Sequence, residues 1–134
     1  MTWAFDVGAR TLCQEVRGEP LDGQIAVAWV LKNRLASGKW GSSLASVCLW
    51  RGQFSGWYVP SDPNFAYACS LPDTDATLSH MQSLLQTVMD GTNDPTGGAT
   101  HYYNPAGVVQ TPAWVAGATP CGKFGHQLFF KGIN

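Results

Sequence analysis

Charge is scarce in this sequence. Eight Lys and Arg stand against nine Asp and Glu in 134 residues, a net charge of −1 with 13% of residues charged. Neutralising phosphates needs clustered cations, so this thin and balanced set argues against a nucleic-acid partner. Long apolar runs are missing too: no window reaches membrane-spanning length. The start, Met1-Thr2-Trp3-Ala4-Phe5-Asp6, has neither the basic residues nor the apolar stretch of a secretion signal. Cys13, Cys48, Cys69 and Cys121 are far apart and form no CxxC pair, which speaks against a zinc ribbon or thioredoxin-type site. Internal repeats and low-complexity segments are absent. What remains is one domain, 1–134, long enough for a single core and too short for a catalytic unit plus a targeting module.

Glycine and aromatics are plentiful by contrast: 15 Gly, six Trp, four Tyr and six Phe, within a hydrophobic fraction of 45%. This composition describes an ordered globular protein with long loops. Aromatic rings fill cores, and their faces also bind the apolar faces of sugars.

Hydrophobic spacing places the helices. Phe5, Ala9, Leu12 and Val16 mark an amphipathic first helix ending near Gly18 and Pro20. Ile25 to Leu31 is apolar on every side, as in a helix buried mid-domain, with Asp22 as its expected cap. Ser43 is placed to cap a short third helix through Leu44, Val47 and Cys48, and the Gly-flanked loop Arg51 to Gly56 is expected to face a cleft. Asp62-Pro63-Asn64 starts another helix that Leu71-Pro72 ends. Leu78, Met81, Leu85 and Val88 define a helix from Thr74 or Asp75 to Asp90, stopped by Gly91. Beyond Asn93 only Thr100 to Tyr103 and Gln127 to Phe130 look extended. The expected fold is mainly α (α+β), a helical lobe with a small β-hairpin element near the C-terminus.

The chemistry is concentrated in Gln14-Glu15-Val16-Arg17-Gly18-Glu19-Pro20. Glu15 and Glu19 share a helix face if the helix continues that far. Neighbouring acids on one face cannot flank a bound sugar as the paired carboxylates of glycosidases do. One acid acting alone fits better: Glu15, on a helix with an apolar face, becomes partly desolvated and holds its proton to higher pH. Arg17, Gly18, Glu19 and Pro20 then shape the turn. The plain alternative is a solvated Glu15 paired with Arg10 or Arg17.

Other constellations compete. His101 and His126 lie near the two extended segments and with an acid would make a His, His, Glu zinc site, or they are imidazoles bonded to loop backbone or stacked on aromatics. Cys13 or Cys48 activated by His101 would make a thiol nucleophile, although both cysteines sit within apolar stripes. Gln53, Ser55, Tyr103 and Asn104 mix polar and aromatic groups in loops, as polysaccharide binding requires.

The order of segments resembles the cell-wall hydrolase family of the spore-cortex-lytic enzymes SleB and CwlJ, which also includes phage endolysins. The resemblance runs over ARTLCQEVRGEPLDGQIAVAWVLKNRL from Ala9, then GQFSGW, then ATHYYNPAGVV with a following Pro-Ala-Trp, and FGHQLFF. It implies a lysozyme-like, lytic-transglycosylase-like helical domain that cuts peptidoglycan glycan strands between N-acetylmuramic acid and N-acetylglucosamine. The catalytic glutamate falls on Glu15, with Gln14 where the family usually has a small residue and Val16 where Ala or Ser is common. Gln53, Phe54, Ser55, His101, Tyr103, Asn104, Trp114 and His126 become the expected substrate-binding residues, with no metal or cofactor.

The resemblance further implies the transglycosylase route to a 1,6-anhydro sugar; hydrolytic muramidase, zinc amidase and non-enzymatic glycan-binding module are the alternatives. The short chain without a signal looks like an endolysin, monomeric, made in the cytoplasm and released to the wall by a separate pore. Outside the cell its cysteines would oxidise, Cys48 with Cys69 first because both precede turns around the cleft loop, or remain a reduced, buried set.

Overall fold

The apolar stripes read from the sequence become the helices that frame a cleft. The computed structural model describes residues 2–133. Helix α1, Trp3–Val16, opens with Thr2 Oγ1 accepting the Phe5 N–H at 3.2 Å and buries Ala9, Leu12 and Val16. It ends before Glu19, so Glu15 and Glu19 do not share a helical face. Arg17 satisfies the end. Its Nη1 donates to the carbonyls of Cys13 and Gln14 at 2.9 and 3.3 Å, groups that a helix end leaves open, and to Asn64 Oδ1 at 2.8 Å. Gly8 lets α1 approach its neighbours, since a Cβ there would stand 2.8 Å from Leu44 Cδ2 and 2.9 Å from Leu85 Cδ2.

Helix α2, Leu21–Ser37, is the buried axis that its all-round apolar pattern predicts. Pro20, not Asp22, takes its cap position; Asp22 lies in the first turn and accepts from the Gly23 N–H at 2.9 Å. Three consecutive side chains near its end pin the rest of the fold. Lys32 Nζ donates to the carbonyls of Val88, Met89 and Gly91 at 3.0, 2.9 and 2.6 Å. Asn33 Nδ2 donates to Asp94 and to the Ala99 carbonyl at 2.8 and 2.9 Å, and Arg34 Nε to the Thr100 carbonyl at 2.7 Å.

Helix α3, Leu44–Leu49, carries the expected Ser43 cap, closed reciprocally by Ser46. Where a loop was expected the chain makes a single helical turn, α4, Ser55–Tyr58. Trp57 anchors it by donating from Nε1 to Thr11 Oγ1 at 2.8 Å. Helix α5, Pro63–Ser70, and helix α6, Ala76–Asp90, start at Asp62 and Asp75 as their sequences indicate.

The expected β element near the C-terminus is a three-stranded sheet in which the hairpin of β2, Thr119–Phe124, and β3, Gln127–Lys131, is joined by β1, His101–Tyr103, antiparallel in the order β1-β3-β2. Strand β2 was hidden because Pro120 and Gly122 are poor strand formers, and the pairing slips between them. Among the described residues no helix is long and apolar enough to cross a membrane. The four cysteines are free: Cys13 and Cys48 are buried, Cys121 is half-buried and Cys69 is exposed. The expected Cys48–Cys69 bond is therefore not formed, and the set is not uniformly buried either.

Candidate active site

Glu15 lies in the last turn of α1, half-buried, facing β1. Strand alternation turns Tyr102 toward it: Tyr102 stacks on the fully buried Phe129 at 5.5 Å, and its hydroxyl donates to Glu15 Oε1 at 2.8 Å. Burial pushes the Glu15 carboxyl above its ordinary value; the Tyr102 donor opposes this, the Asp62 charge adds to it and the Arg34 charge opposes it. Neither arginine named as a partner reaches Glu15. Arg10 binds Asp6, Asp73 and the carbonyls closing α5, and Arg17 is committed to the end of α1.

Glu15 opens into a cleft of about 360 Å³ walled by Arg34, Gln53, Phe54, His101, Tyr102 and Trp114. Arg34 is only 5% exposed, its guanidinium 4.7 Å from the Trp40 ring centre and 5.5 Å from that of Phe54. His101 sits between Trp40 and Trp114, at ring distances of 5.7 and 5.1 Å. Burial, with the charges of Arg34 and Lys39, pushes its imidazole down to about 4, so near neutral pH it presents an uncharged ring.

The cleft thus gathers Gln53, Phe54, His101 and Trp114 around Glu15, with Tyr103 packed edge-on against Trp114 at 5.9 Å. Three other expected residues are engaged elsewhere. Ser55 Oγ donates to Asp62 at 2.7 Å, Asn104 Oδ1 accepts from the Ala106 N–H at 3.0 Å, and His126 bonds Glu19. Two residues in the cleft were not anticipated from sequence, Tyr102 and Arg34. The alternation of His101-Tyr102-Tyr103 was the available signal for the first; the second stands in the polar run Lys32-Asn33-Arg34 near the end of α2, which does not set it apart from its neighbours.

The competing constellations do not assemble. His101 pairs with Phe130 across the sheet, about 13 Å along β3 from His126 at roughly 3.3 Å per residue. Among the described residues no group of three His, Cys, Asp or Glu is placed to hold a metal ion. Burial pushes the Cys13 thiol up to about 11 and the Cys48 thiol up to about 12, far from the thiolate a nucleophile requires.

Glu19 works at a different place. Its carboxylate accepts from the His126 N–H at 2.9 Å and pairs with His126 Nδ1 at 2.8 Å, while Asp22 accepts from the Gly125 N–H at 3.3 Å. These acids clasp the β2–β3 turn, where Gly125 has φ +58° and a Cβ would meet Glu19 Oε1 at 2.8 Å. Burial pushes the Glu19 carboxyl up, but the His126 donors outweigh it and hold the group below its ordinary value. Gly18 is exposed with nothing near its missing Cβ, so the structure offers no reason for glycine there. A larger groove of about 550 Å³ between α2 and α6 is lined by residues such as Leu21, Ile25, Trp29 and Leu84 and by no carboxylate. The smaller cleft, by contrast, contains the carboxyl of Glu15.

Residues 18–130 match the model of a family described as Cell Wall Hydrolase; the match starts just past Glu15. The spore cortex-lytic enzyme of Bacillus cereus is 29% identical over 125 residues, 92% of this chain and 42% of that protein. That of Halalkalibacterium halodurans is 28% identical over 123 residues, 90% of this chain and 32% of that protein. The chain thus spans less than half the length of these relatives. The catalytic domain of the germination-specific lytic transglycosylase SleB from Bacillus anthracis superposes with a TM-score of 0.72 at 25% identity, covering 98% of this chain and 97% of that one. The Bacillus cereus SleB catalytic domain gives 0.75 at 26% identity, covering 96% and 89%.

Proposed function

The chain belongs to the Cell Wall Hydrolase family, and on that premise we propose that it is a monomeric lytic transglycosylase acting on the glycan strands of peptidoglycan, with Glu15 as its one acid and base. The observation that carries this reading is the state of Glu15: half-buried, its proton affinity raised, with no second carboxylate among the residues lining its cleft. Asp62, the other acid whose charge reaches it, is tied to Ser55 Oγ and the Asn64 N–H at the start of α5. The similarity to the catalytic domain of the lytic transglycosylase SleB supports the same route.

Glu15 gives its proton to the glycosidic oxygen as the bond from C1 of N-acetylmuramic acid breaks, and the electron pair leaves with that oxygen as an N-acetylglucosamine hydroxyl. The carboxylate left behind then takes the proton of the muramic acid 6-hydroxyl as O6 bonds to C1, closing a 1,6-anhydro ring and restoring the acid. Tyr102 fixes the carboxyl through both steps because its hydroxyl donates to whichever form is present. Trp114 and the uncharged His101 ring supply faces for sugar packing, and Gln53, exposed at the rim, supplies amide contacts.

Mass spectrometry of peptidoglycan digested in heavy-oxygen water tests the proposal. Anhydro-muramic ends that Glu15→Gln fails to make support it; reducing ends carrying solvent oxygen would make the protein a muramidase, and binding without new ends would make it a glycan-binding module. In the endolysin form of this proposal the protein is released to the wall through a separate pore, so cells expressing it lyse when a pore-forming protein is co-expressed and survive without one.

A further inference from the structure

Arg34 lies in the buried set, an unusual position for a charge. Among the described residues no carboxylate comes within ion-pair distance of it. Its Nε is anchored to the Thr100 carbonyl at 2.7 Å, Trp40 and Phe54 flank its guanidinium, and its Nη1 is buried with no hydrogen-bond partner. A buried cation without a counter-charge is costly, and an apolar residue would fill the same space more cheaply. Arg34 nevertheless lines the cleft that contains Glu15.

Resting on the reading of Glu15 as the acid, we propose that Arg34 is a positioning residue whose fixed charge is the counter-ion of the Glu15 carboxylate formed when the proton is given away. In the form that starts the reaction Glu15 carries the proton it will give, and Arg34 has no ion-pair partner among the described residues. When the glycosidic oxygen takes the proton, negative charge appears on Glu15, in the cleft that the anchored Arg34 lines and within reach of its charge. The attraction lasts until the 6-hydroxyl proton restores the acid. Preorganised charge of this kind favours the step in which ions form, and it accounts for keeping a guanidinium where its ground state is poorly satisfied.

The surroundings leave Arg34 as the cation able to do this. Tyr102, on β1, is a neutral phenol because burial drives its proton affinity well above the ordinary value. Cys48, on α3, is a neutral thiol at about 12, and His101 is a neutral ring at about 4. Asp62, before α5, is held ionised by the Ser55 hydroxyl and the Asn64 N–H, and its charge opposes a second negative charge on Glu15. Lys39, just past α2, is exposed, and its charge acts on His101. Arg34 itself is pulled down by burial and held up by Tyr102, Cys48 and Glu15.

The test is the pH profile of kcat/KM for glycan cleavage in Arg34→Gln, Arg34→Met and Arg34→Lys. The high-pH limb reports loss of the proton on the free enzyme's acid. Removing a positive charge raises the proton affinity of Glu15, so in the Gln and Met variants that limb moves up by about one pH unit while the plateau falls roughly 10- to 100-fold. The Lys variant keeps the limb near the wild-type position and recovers part of the rate. Met fills the buried space without asking for hydrogen bonds, so it carries the test should Gln not fold. A Gln or Met variant that is slower with its limb unmoved makes Arg34 merely structural and overturns the inference, as does one with an unchanged profile. Glu15→Gln is run alongside: if it stays active the functional reading fails, whereas an inactive Glu15→Gln with an unmoved limb in the Arg34 variants sinks the counter-charge alone.

Discussion

Glu15 and Glu19 belong to one short motif, yet their surroundings drive them in opposite directions. Glu15 lines the cleft and receives one hydroxyl donor, so burial dominates and raises its proton affinity. Glu19 receives the backbone and ring donors of His126, which favour the ionised form. The helix that carries the first ends at Val16, before the second, and this break separates the roles. Identical side chains are driven toward the protonated or the ionised form according to the burial and the number of donors that meet each one.

Substituting Glu15 has the largest expected effect. Glu15→Gln should lower glycan cleavage at least about 10³-fold, since it removes both proton donor and acceptor. It should not weaken the fold. A carboxyl whose folded-state proton affinity is raised costs stability once the pH exceeds its unfolded value, fully so above its folded value, and Gln removes that cost; a gain in urea unfolding at pH 7 is expected. Loss of stability with retained activity would reverse the comparison.

Tyr102→Phe comes next. It deletes the hydroxyl donor that favours the Glu15 carboxylate, so kcat should fall about tenfold and the high-pH limb should move upward. Near-wild-type kinetics would show that Glu15 needs no such anchor.

Glu19→Gln should do the converse of Glu15→Gln, costing about 1 kcal/mol of stability with kcat nearly unchanged at a temperature where the variant is folded. The pH dependence follows from the depressed proton affinity: the clasp contributes fully above the ordinary carboxylate range and is lost as pH falls through the lower folded value. Wild-type unfolding curves at pH 7 and pH 3 should therefore differ more than those of the variant. An unaltered difference would remove the clasp from the account.

Much of this was legible in the chain because local signals agreed with the fold. The Asp62, Asp75 and Ser43 caps and the Leu78–Val88 stripe depend on neighbouring residues alone, and each marks the element found. Strand β2 was not legible, since its pairing to β3 overrides two residues that oppose strand formation. The cleft was legible in part: Glu15 stood out by its motif, whereas Tyr102 and Arg34 gain their meaning from contacts far along the chain. Ser55, Asn104 and His126 have the polarity that a sugar site requires, but their first partners are Asp62, a local turn and Glu19. Composition cannot tell a side chain bonding its own loop from one facing a ligand.

The central claim, that one motif holds a proton-retaining acid beside a proton-shedding clasp, is tested most directly by following both side-chain carboxyl carbons by NMR across a pH titration of the intact protein. The account predicts Glu15 titrating above the ordinary glutamate value and Glu19 below it in the same sample; coincident midpoints, or the reverse order, would contradict it.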